Sequence, residues 1–182
     1  MEEVEGLEMN LDWVTPALCV GGSYPMEAAA HLAQRLGIRH VVDVRVERCD
    51  DEAVLHTHGI TLLHLPTVDM SAISQKKLRD GVAWVRERLA RGDKVFIHCE
   101  YGIGRSALLA LCVLVAEGFA PLDALALAKR QRPKLSPSPE QLTAFLVFAS
   151  GWKHAHAAPW SLPVLEELAA IAYSHLRKGP SA

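Results

Sequence analysis

Four cysteines are present, and no two of them make a Cys-x-x-Cys pair. Cys19, Cys49, Cys99 and Cys112 lie far apart in the chain, so neither a zinc cluster nor a disulfide framework is supported. That pattern points to a reducing, cytoplasmic setting. No apolar run is long enough to span a membrane. The longest, "ALLALCVLVA", is about half of the ~20 residues that a span needs and reads as a buried helix. The start, "MEEVEGLEMN", is acidic and lacks the apolar core of a secretory signal. Basic residues are not in excess: 19 Lys and Arg stand against 21 Asp and Glu, and the formal net charge is -2. They are spread out, so neither nucleic acid nor a membrane surface is expected as a partner. Asn occurs once, as Asn10, which fits a GC-rich coding bias or a heat-loving source and carries no chemistry.

What is there is enough for one domain. A chain of 182 residues, half of them hydrophobic, buries roughly 70% of the surface its unfolded form exposes. Neither a repeat nor a low-complexity linker interrupts it. "PALCVGG" reads as a short strand ending in a glycine turn, and "PMEAAAHLAQRLG" as a helix closed by Gly37. "IRHVVDVRV" is a buried strand, "DDEAVLHTHG" a short helix before Gly59, and "ITLLHLP" a strand that Pro66 ends. From about Gln75 to Arg91, Leu78, Val82, Val85 and Leu89 share one helix face. "DKVFIHC" is the next strand, and "RSALLALCVLVAEG", apolar on nearly every side, is a central helix. A helix over "PLDALALAKRQR" follows. Then Ser138, Pro139 and Gln141 spell an N-cap, a first-turn proline and a capping-box partner. Two more helices are expected, about 139–154 and 160–177, the latter with Leu165, Leu168, Ala172 and Leu176 on one face. Strands alternating with helices predict an α/β fold with a mostly parallel central sheet and helices on both faces. Residues 1–182 read as one domain, with a core over about 10–150 and a helical extension over about 157–178. The chain is expected to act as a monomer.

Ligands of such sheets sit beyond the carboxyl ends of the strands. "VFIHC" ends there at Cys99, and the stretch "HCEYGIGRS" then joins a buried strand to a buried helix. Backbone N–H groups of Glu100, Tyr101, Gly102, Ile103 and Gly104 can converge on one point, and the helix start adds unpaired N–H groups and a positive dipole end. This is a cradle for a dianion. Gly102 and Gly104 remove Cβ atoms that would block a close anion, or supply positive φ. The fork of Arg105 can hold two phosphate oxygens. The same field favours the thiolate of Cys99, a nucleophile aimed at phosphorus. No Gly-Lys-Ser/Thr follows the glycines, so a nucleotide loop of the Walker type is excluded.

The leaving oxygen needs a proton from another loop on the same side of the sheet. Asp69, in "LHLPTVDMSAIS" just past a strand end, is the candidate; a helix-capping role is its bland alternative. Asp80 and Asp93 are weaker candidates, one inside a helix and one in a tight turn. The Ser106 hydroxyl can stabilise the departing thiolate. His98 is expected to order the loop through hydrogen bonds. Cys49 and Cys112 read as small hydrophobes, Cys112 in the core, although Cys49 could in principle trap an oxidised Cys99. The pairs "HTH" at 56–58 and "HAH" at 154–156 split across helix faces, so no metal site is expected. Arg45 and Arg48 lie past a strand end and read as solvated surface charge.

With these residues in place, His-Cys-x5-Arg-Ser with an Asp 30 residues before the Cys resembles the cysteine-dependent protein tyrosine phosphatases, in particular their small dual-specificity branch. The resemblance covers about residues 10–150 and includes "TPALCVGG", "PTVD", "HCEYGIGRS" and "RQRPKLSPSPEQL". It implies that Cys99 is the nucleophile, Arg105 the phosphate clamp, Asp69 the general acid and Ser106 the partner of the leaving thiolate. It implies a metal-independent phosphomonoester hydrolase that needs no cofactor and acts on a phosphorylated protein or a small phosphate ester. Two departures matter. The loop carries Glu100 and no lysine, which disfavours a highly charged lipid headgroup. The segment after "RP" lacks the asparagine that many relatives show, and the Asn-Arg-Tyr segment that deepens the pocket of tyrosine-specific members is missing as well. Alternatives are a phosphatase of a lipid, nucleotide or RNA end, a phosphate-binding module without turnover, and a rhodanese-like enzyme, which would lack the upstream acid.

Overall fold

The computed structural model describes residues 8–177. The acidic first residues, and the last residue of the expected helical extension, lie outside that range. Five strands form one sheet in the order β1-β2-β5-β3-β4. Strands β2 (Leu18–Gly21), β5 (Lys94–His98), β3 (Ile38–Arg45) and β4 (Thr61–Thr67) are mutually parallel. Only β1 (Leu11–Thr15), antiparallel to β2, breaks the pattern. The α/β class with a mostly parallel sheet is therefore as expected, but β1 escaped the sequence reading. It is a short edge strand, Leu-Asp-Trp-Val-Thr, without a clean apolar alternation.

Helices cover both faces. On one side α1 (Ala29–Gln34) and α2 (Glu52–Thr57) pack Ala29, Leu32 and Leu55 against Val41 and Phe96. On the other lie α3 (Gln75–Ala90), α4 (Arg105–Ala116), α5 (Pro121–Gln131) and α6 (Pro139–His156). Every residue of α4 is buried, as its unbroken apolar sequence required. Local signals set the boundaries. Ser74 caps α3 by accepting from Lys77 N, and Asp51 caps α2 by accepting from Val54 N. Ser138 and Gln141 form the expected capping box of α6.

Two expectations need correcting. Pro66 does not end β4, which runs on to Thr67; β4 is the sheet's edge, where a missing donor is tolerated. The last helix, α7, is shorter than 160–177 and spans Leu165–Ala172, followed by a 3-10 turn over Ser174–Arg177. Leu168 and Ala172 are buried, but Leu176 lies exposed beyond the helix. Tyr173 donates its hydroxyl to Pro137 O at 2.6 Å, tying this end of the chain to the turn before α6.

Three parallel strands end side by side and release three loops at the same sheet edge. Strand β5 delivers Cys99, β3 delivers Val46 to Asp50, and β4 delivers Val68 to Ser74. The pairings of Asp43 with His98 and of Arg45 with Thr67 align those ends.

Candidate active site

The loop from Cys99 to Arg105 owes its shape to what holds it from outside. The carbonyls of four consecutive residues are turned outward and bonded: Glu100 O accepts from Ser23 N (2.8 Å), Tyr101 O from Arg132 Nη2 (3.0 Å), Gly102 O from Arg132 Nε (2.7 Å) and Ile103 O from Ser136 N (3.0 Å). In a trans peptide the N–H points opposite to the C=O before it, so outward carbonyls turn the N–H groups of Tyr101 to Gly104 inward. The Gly102 N–H reaches Cys99 Sγ at 3.2 Å. The N–H groups of Tyr101, Ile103 and Gly104 have no protein acceptor among the described residues. They are donors left for an anion.

The glycines serve this geometry through backbone conformation and through space. Gly102 has φ +69°, and a Cβ there would sit 2.3 Å from the Gly21 backbone. A Cβ on Gly104 would lie 2.5 Å from the Gln141 amide. Both glycines make room for the protein itself.

Arg105 is fully buried, and its five N–H groups can be accounted for. Nη1 donates to Glu47 Oε2 and Thr67 O, each at 2.8 Å, and Nη2 donates to Glu47 Oε1 at 2.7 Å. The Nε–H has no hydrogen-bond partner, and Asp69 Oδ1 lies 3.5 Å from it. Glu47 thus grips the end of the guanidinium. The parallel Nε–H and second Nη2–H remain on its side, the pair of donors a tetrahedral oxyanion accepts. Burial is the largest single influence and works against the charge of Arg105, but the Glu47 bond together with the nearby Cys99, Glu47 and Asp69 charges raises the group above its ordinary range. In return the Arg105 bond holds Glu47 down to about 2.

Cys99 is buried, with Ser106 Oγ 3.2 Å from its sulfur. The Gly102 N–H and the Ser106 hydroxyl both lie 3.2 Å from that sulfur, which faces the start of α4. Asp69 is exposed in the next loop and accepts from Met70 N at 2.8 Å. It does not cap α3; Ser74 does. The rival acids are engaged elsewhere, Asp80 with Lys76 and Asp93 with His40. Asp69's loop is pinned from below: Ser138 Oγ donates to Met70 O (3.2 Å), Gln141 Nε2 to Ser71 O (3.2 Å) and Lys77 Nζ to Pro66 O (2.6 Å).

Beneath the cradle lies a polar cluster that corrects the reading of Arg45. It is buried, with Nε and Nη2 on the Asp43 carboxylate, Nη2 also on Asp50 Oδ1, and Nη1 on Glu100 Oε2 at 3.1 Å. Asp43 and Arg45 are two apart on a strand and share a face, which places a charge pair inside the sheet's loop end. Arg48 is exposed, as expected. His98 bonds Asp50 Oδ2 through Nε2 at 2.7 Å and Cys99 O through Nδ1 at 3.2 Å, at the end of β5. Burial opposes charge on Asp50, but His98 and Tyr24 hydrogen bonds hold it below the ordinary carboxylate range. Asp43, Asp50 and His98 lie close enough to bind a cation, but Arg45 already occupies both carboxylates. The carboxylate of Glu100, bonded to Arg45 and to Ser23 Oγ, is turned into this cluster.

Sequence reasoning missed Glu47, Arg132, the role of Arg45, and the contacts that Gln141, read only as a capping-box partner, makes with the site loops. Arg132 is the largest omission: fully buried, it holds two loop carbonyls and also Asp12 Oδ2 and Asn10 Oδ1, each at 2.8 Å.

Comparison with known proteins agrees with this geometry. A family described as the Swiss Army Knife protein, DSP-PTPase phosphatase domain, matches residues 8–144. The mouse phosphatidylglycerophosphatase and protein-tyrosine phosphatase 1 is 30% identical over 92 residues, 50% of this chain and 48% of that protein, so the match spans about half the length of that relative. Its human counterpart is 25% identical over 147 residues, covering 75% of this chain and 73% of that one. Among solved structures, PTPMT1 in complex with PI(5)P superposes with a TM-score of 0.75 at 22% identity, covering 82% of this chain and 99% of that one, a likeness of fold. A strand-to-helix oxyanion loop in this fold, matched over three quarters of the chain by one family, places the protein in the dual-specificity phosphatase branch of the cysteine-dependent protein tyrosine phosphatase superfamily.

Proposed function

We propose that this phosphatase domain hydrolyses phosphomonoesters of proteins through a phosphocysteine, with phosphotyrosine accepted and no metal required. The observation that carries the reading is the pair of unspent donors on buried Arg105, beside a sulfur held by Gly102 and Ser106. In the first step the Cys99 thiolate attacks phosphorus and the P–O bond to the leaving group breaks. Asp69 gives its proton to the departing oxygen. In the second step water attacks the phosphocysteine, Asp69 takes the water's proton, and the P–S bond breaks. Ser106 donates to the released thiolate. Inward N–H groups and Arg105 stabilise the charge on the equatorial oxygens throughout. His98 and Glu47 position the loop and the clamp.

The substrate is taken to be a phosphorylated protein, or a small phosphate ester in vitro. Four free cysteines, one of them exposed, support action in a reducing compartment such as the cytoplasm. No helix among the described residues is long and apolar enough to cross a membrane. A second reading, a lipid phosphomonoester, draws on the curated relatives' own name and on Glu100. Its carboxylate is spent on Arg45, so the charge that disfavoured a lipid headgroup does not face the cradle. The deciding experiment is hydrolysis of an aryl phosphate in excess chelator by wild type and Cys99→Ser. Turnover in wild type alone supports the phosphocysteine route; wild-type activity that chelator removes, or that the variant retains, refutes it.

A further inference from the structure

We infer that Val46, Val68, Met70 and Tyr101 form an apolar collar that selects phosphopeptides with apolar side chains next to the phosphorylated residue. The inference rests on the phosphatase reading above and names the substrate class of that site. Most large apolar side chains on this protein are buried. Four of the exposed ones lie on the three loops at the catalytic sheet edge: Val46 at 53%, Val68 at 60%, Met70 at 66% and Tyr101 at 62%. The other four among the described residues, Val147, Leu162, Val164 and Leu176, belong to α6 and the C-terminal segment.

Each collar residue is the chain neighbour of a group that touches the cradle. Val46 precedes Glu47, which grips Arg105. Val68 and Met70 bracket Asp69, 3.5 Å from Arg105 Nε, and Val68 follows Thr67, whose carbonyl accepts from Arg105. Tyr101 precedes Gly102, whose N–H reaches the Cys99 sulfur. Cys99 and Arg105 are buried at the floor. A substrate that places its phosphate on them must lay the groups flanking the ester among these four side chains.

The backbone at Met70 carries a second sign. Its φ of 63° is one of two positive values among the described non-glycine residues, a conformation that L side chains rarely adopt. Ser138 Oγ on Met70 O and Asp69 Oδ1 on Met70 N hold it there. Strain of this kind persists where the surroundings over-determine it, and it gathers at functional sites.

Charge decides between a peptide and a bilayer. The mouth's carboxylates Glu47 and Glu100 are paired with arginines, Asp69 lies 3.5 Å from Arg105 Nε, and Arg48 is exposed. A formal net charge of -2 and a mouth without a basic cluster do not suit an anionic membrane. Neutral apolar contact suits peptide flanks.

The test uses two phosphotyrosine peptides of equal length, one with Leu and Val flanks and one with Asp and Ser flanks. The ratio of their kcat/KM values is measured for wild type and for V46S/V68S/M70N, Asn at 70 being chosen because it tolerates positive φ. We expect wild type to favour the apolar peptide by about 10-fold or more and the variant to bring the ratio near one. The ratio normalises itself against any change in folding or intrinsic rate. Binding of both peptides to Cys99→Ser protein gives the same comparison without turnover, so the collar is judged even if the catalytic reading fails. Equal affinity and equal kcat/KM for the two peptides in wild type would overturn the collar. So would faster turnover of phosphatidylglycerophosphate in phosphatidylcholine vesicles that the triple variant alone abolishes, which would assign the collar to a membrane.

Discussion

The loop that carries Cys99 and the loop that carries Asp69 meet at one arginine, yet they are built in opposite ways. Backbone carbonyls on the outside and a fully buried helix behind make the first rigid; Arg132, Ser23 and Ser136 hold four successive peptides in place. The second is exposed, and three side chains from α3 and α6 pin it by its carbonyls. One is a preformed binding surface that needs no reorganisation when charge develops, which is where electrostatic catalysis gains most. The other has only to bring a proton to an oxygen and can tolerate more freedom.

If that contrast holds, the two loops should fail differently. Cys99→Ser should lower turnover by on the order of 10⁵-fold, with phosphate affinity kept, because the backbone cradle and Arg105 are untouched. Arg105→Lys should cost at least about 10³-fold and weaken phosphate binding too, since an ammonium replaces neither the Glu47 grip nor the side-on fork. Steady-state kinetics and equilibrium phosphate binding on both variants check this. A Lys variant that keeps phosphate affinity would mean that the amides alone hold the anion.

Asp69→Asn should act on chemistry alone. Turnover of an ester with a poor leaving group should fall about 10²–10⁴-fold, while an activated aryl ester that needs little proton assistance should fall far less. Equal losses on both would remove Asp69 from the role of acid.

Stability offers a third contrast. Gly102→Ala places a methyl against the Gly21 backbone at positive φ and should cost roughly 3 kcal/mol, read as a shifted denaturation midpoint. Met70→Gly, at positive φ in the exposed loop, should stay within about 1 kcal/mol of wild type, because relief of strain offsets the added chain entropy. Similar costs at the two positions would erase the distinction between the loops.

The sequence was most informative where a site is local in the chain. Cys99 to Ser106 are consecutive, so a strand, two glycines, an arginine and an apolar helix could be read as one object. Asp69 needed only the rule that parallel strands end on one side. What stayed hidden was brought in from afar. Glu47, Arg132 and Gln141 reach the site from other loops and helices; as isolated charges Glu47 and Arg132 look like any solvated surface, and Gln141 reads only as a capping-box partner. Arg45 was misread for the same reason, although its place two residues after Asp43 in a β-branched strand was a usable sign. The edge strand β1 was missed because a five-residue segment without clean alternation resembles a loop until its partner β2 is known.

The smallest expected effect concerns Glu47, which joins the two loops by holding the arginine between them. Its folded-state pKa is depressed from 4.5 to about 2 by the Arg105 bond. A depressed carboxylate stabilises the folded state in its ionised form, so the contribution is complete above about 4.5 and is lost as pH falls toward 2. Glu47→Gln keeps one acceptor for Arg105 but removes the charge. At pH 6 the variant should be the less stable of the two, by an amount that solvent screening keeps modest, since the Glu47 side chain is 40% exposed. As pH is lowered to 2.5, wild type should lose this contribution while the variant has none to lose, and the gap between their denaturation midpoints should narrow. Phosphate affinity should respond in the opposite sense at pH 6. An Arg105 relieved of its counter-charge attracts the anion more strongly but holds its fork less firmly, so kcat should fall while affinity does not. A stability gap that is constant from pH 6 to 2.5 would show that the Glu47–Arg105 pair is too solvated to matter. The cradle and the acid loop would then be independent parts.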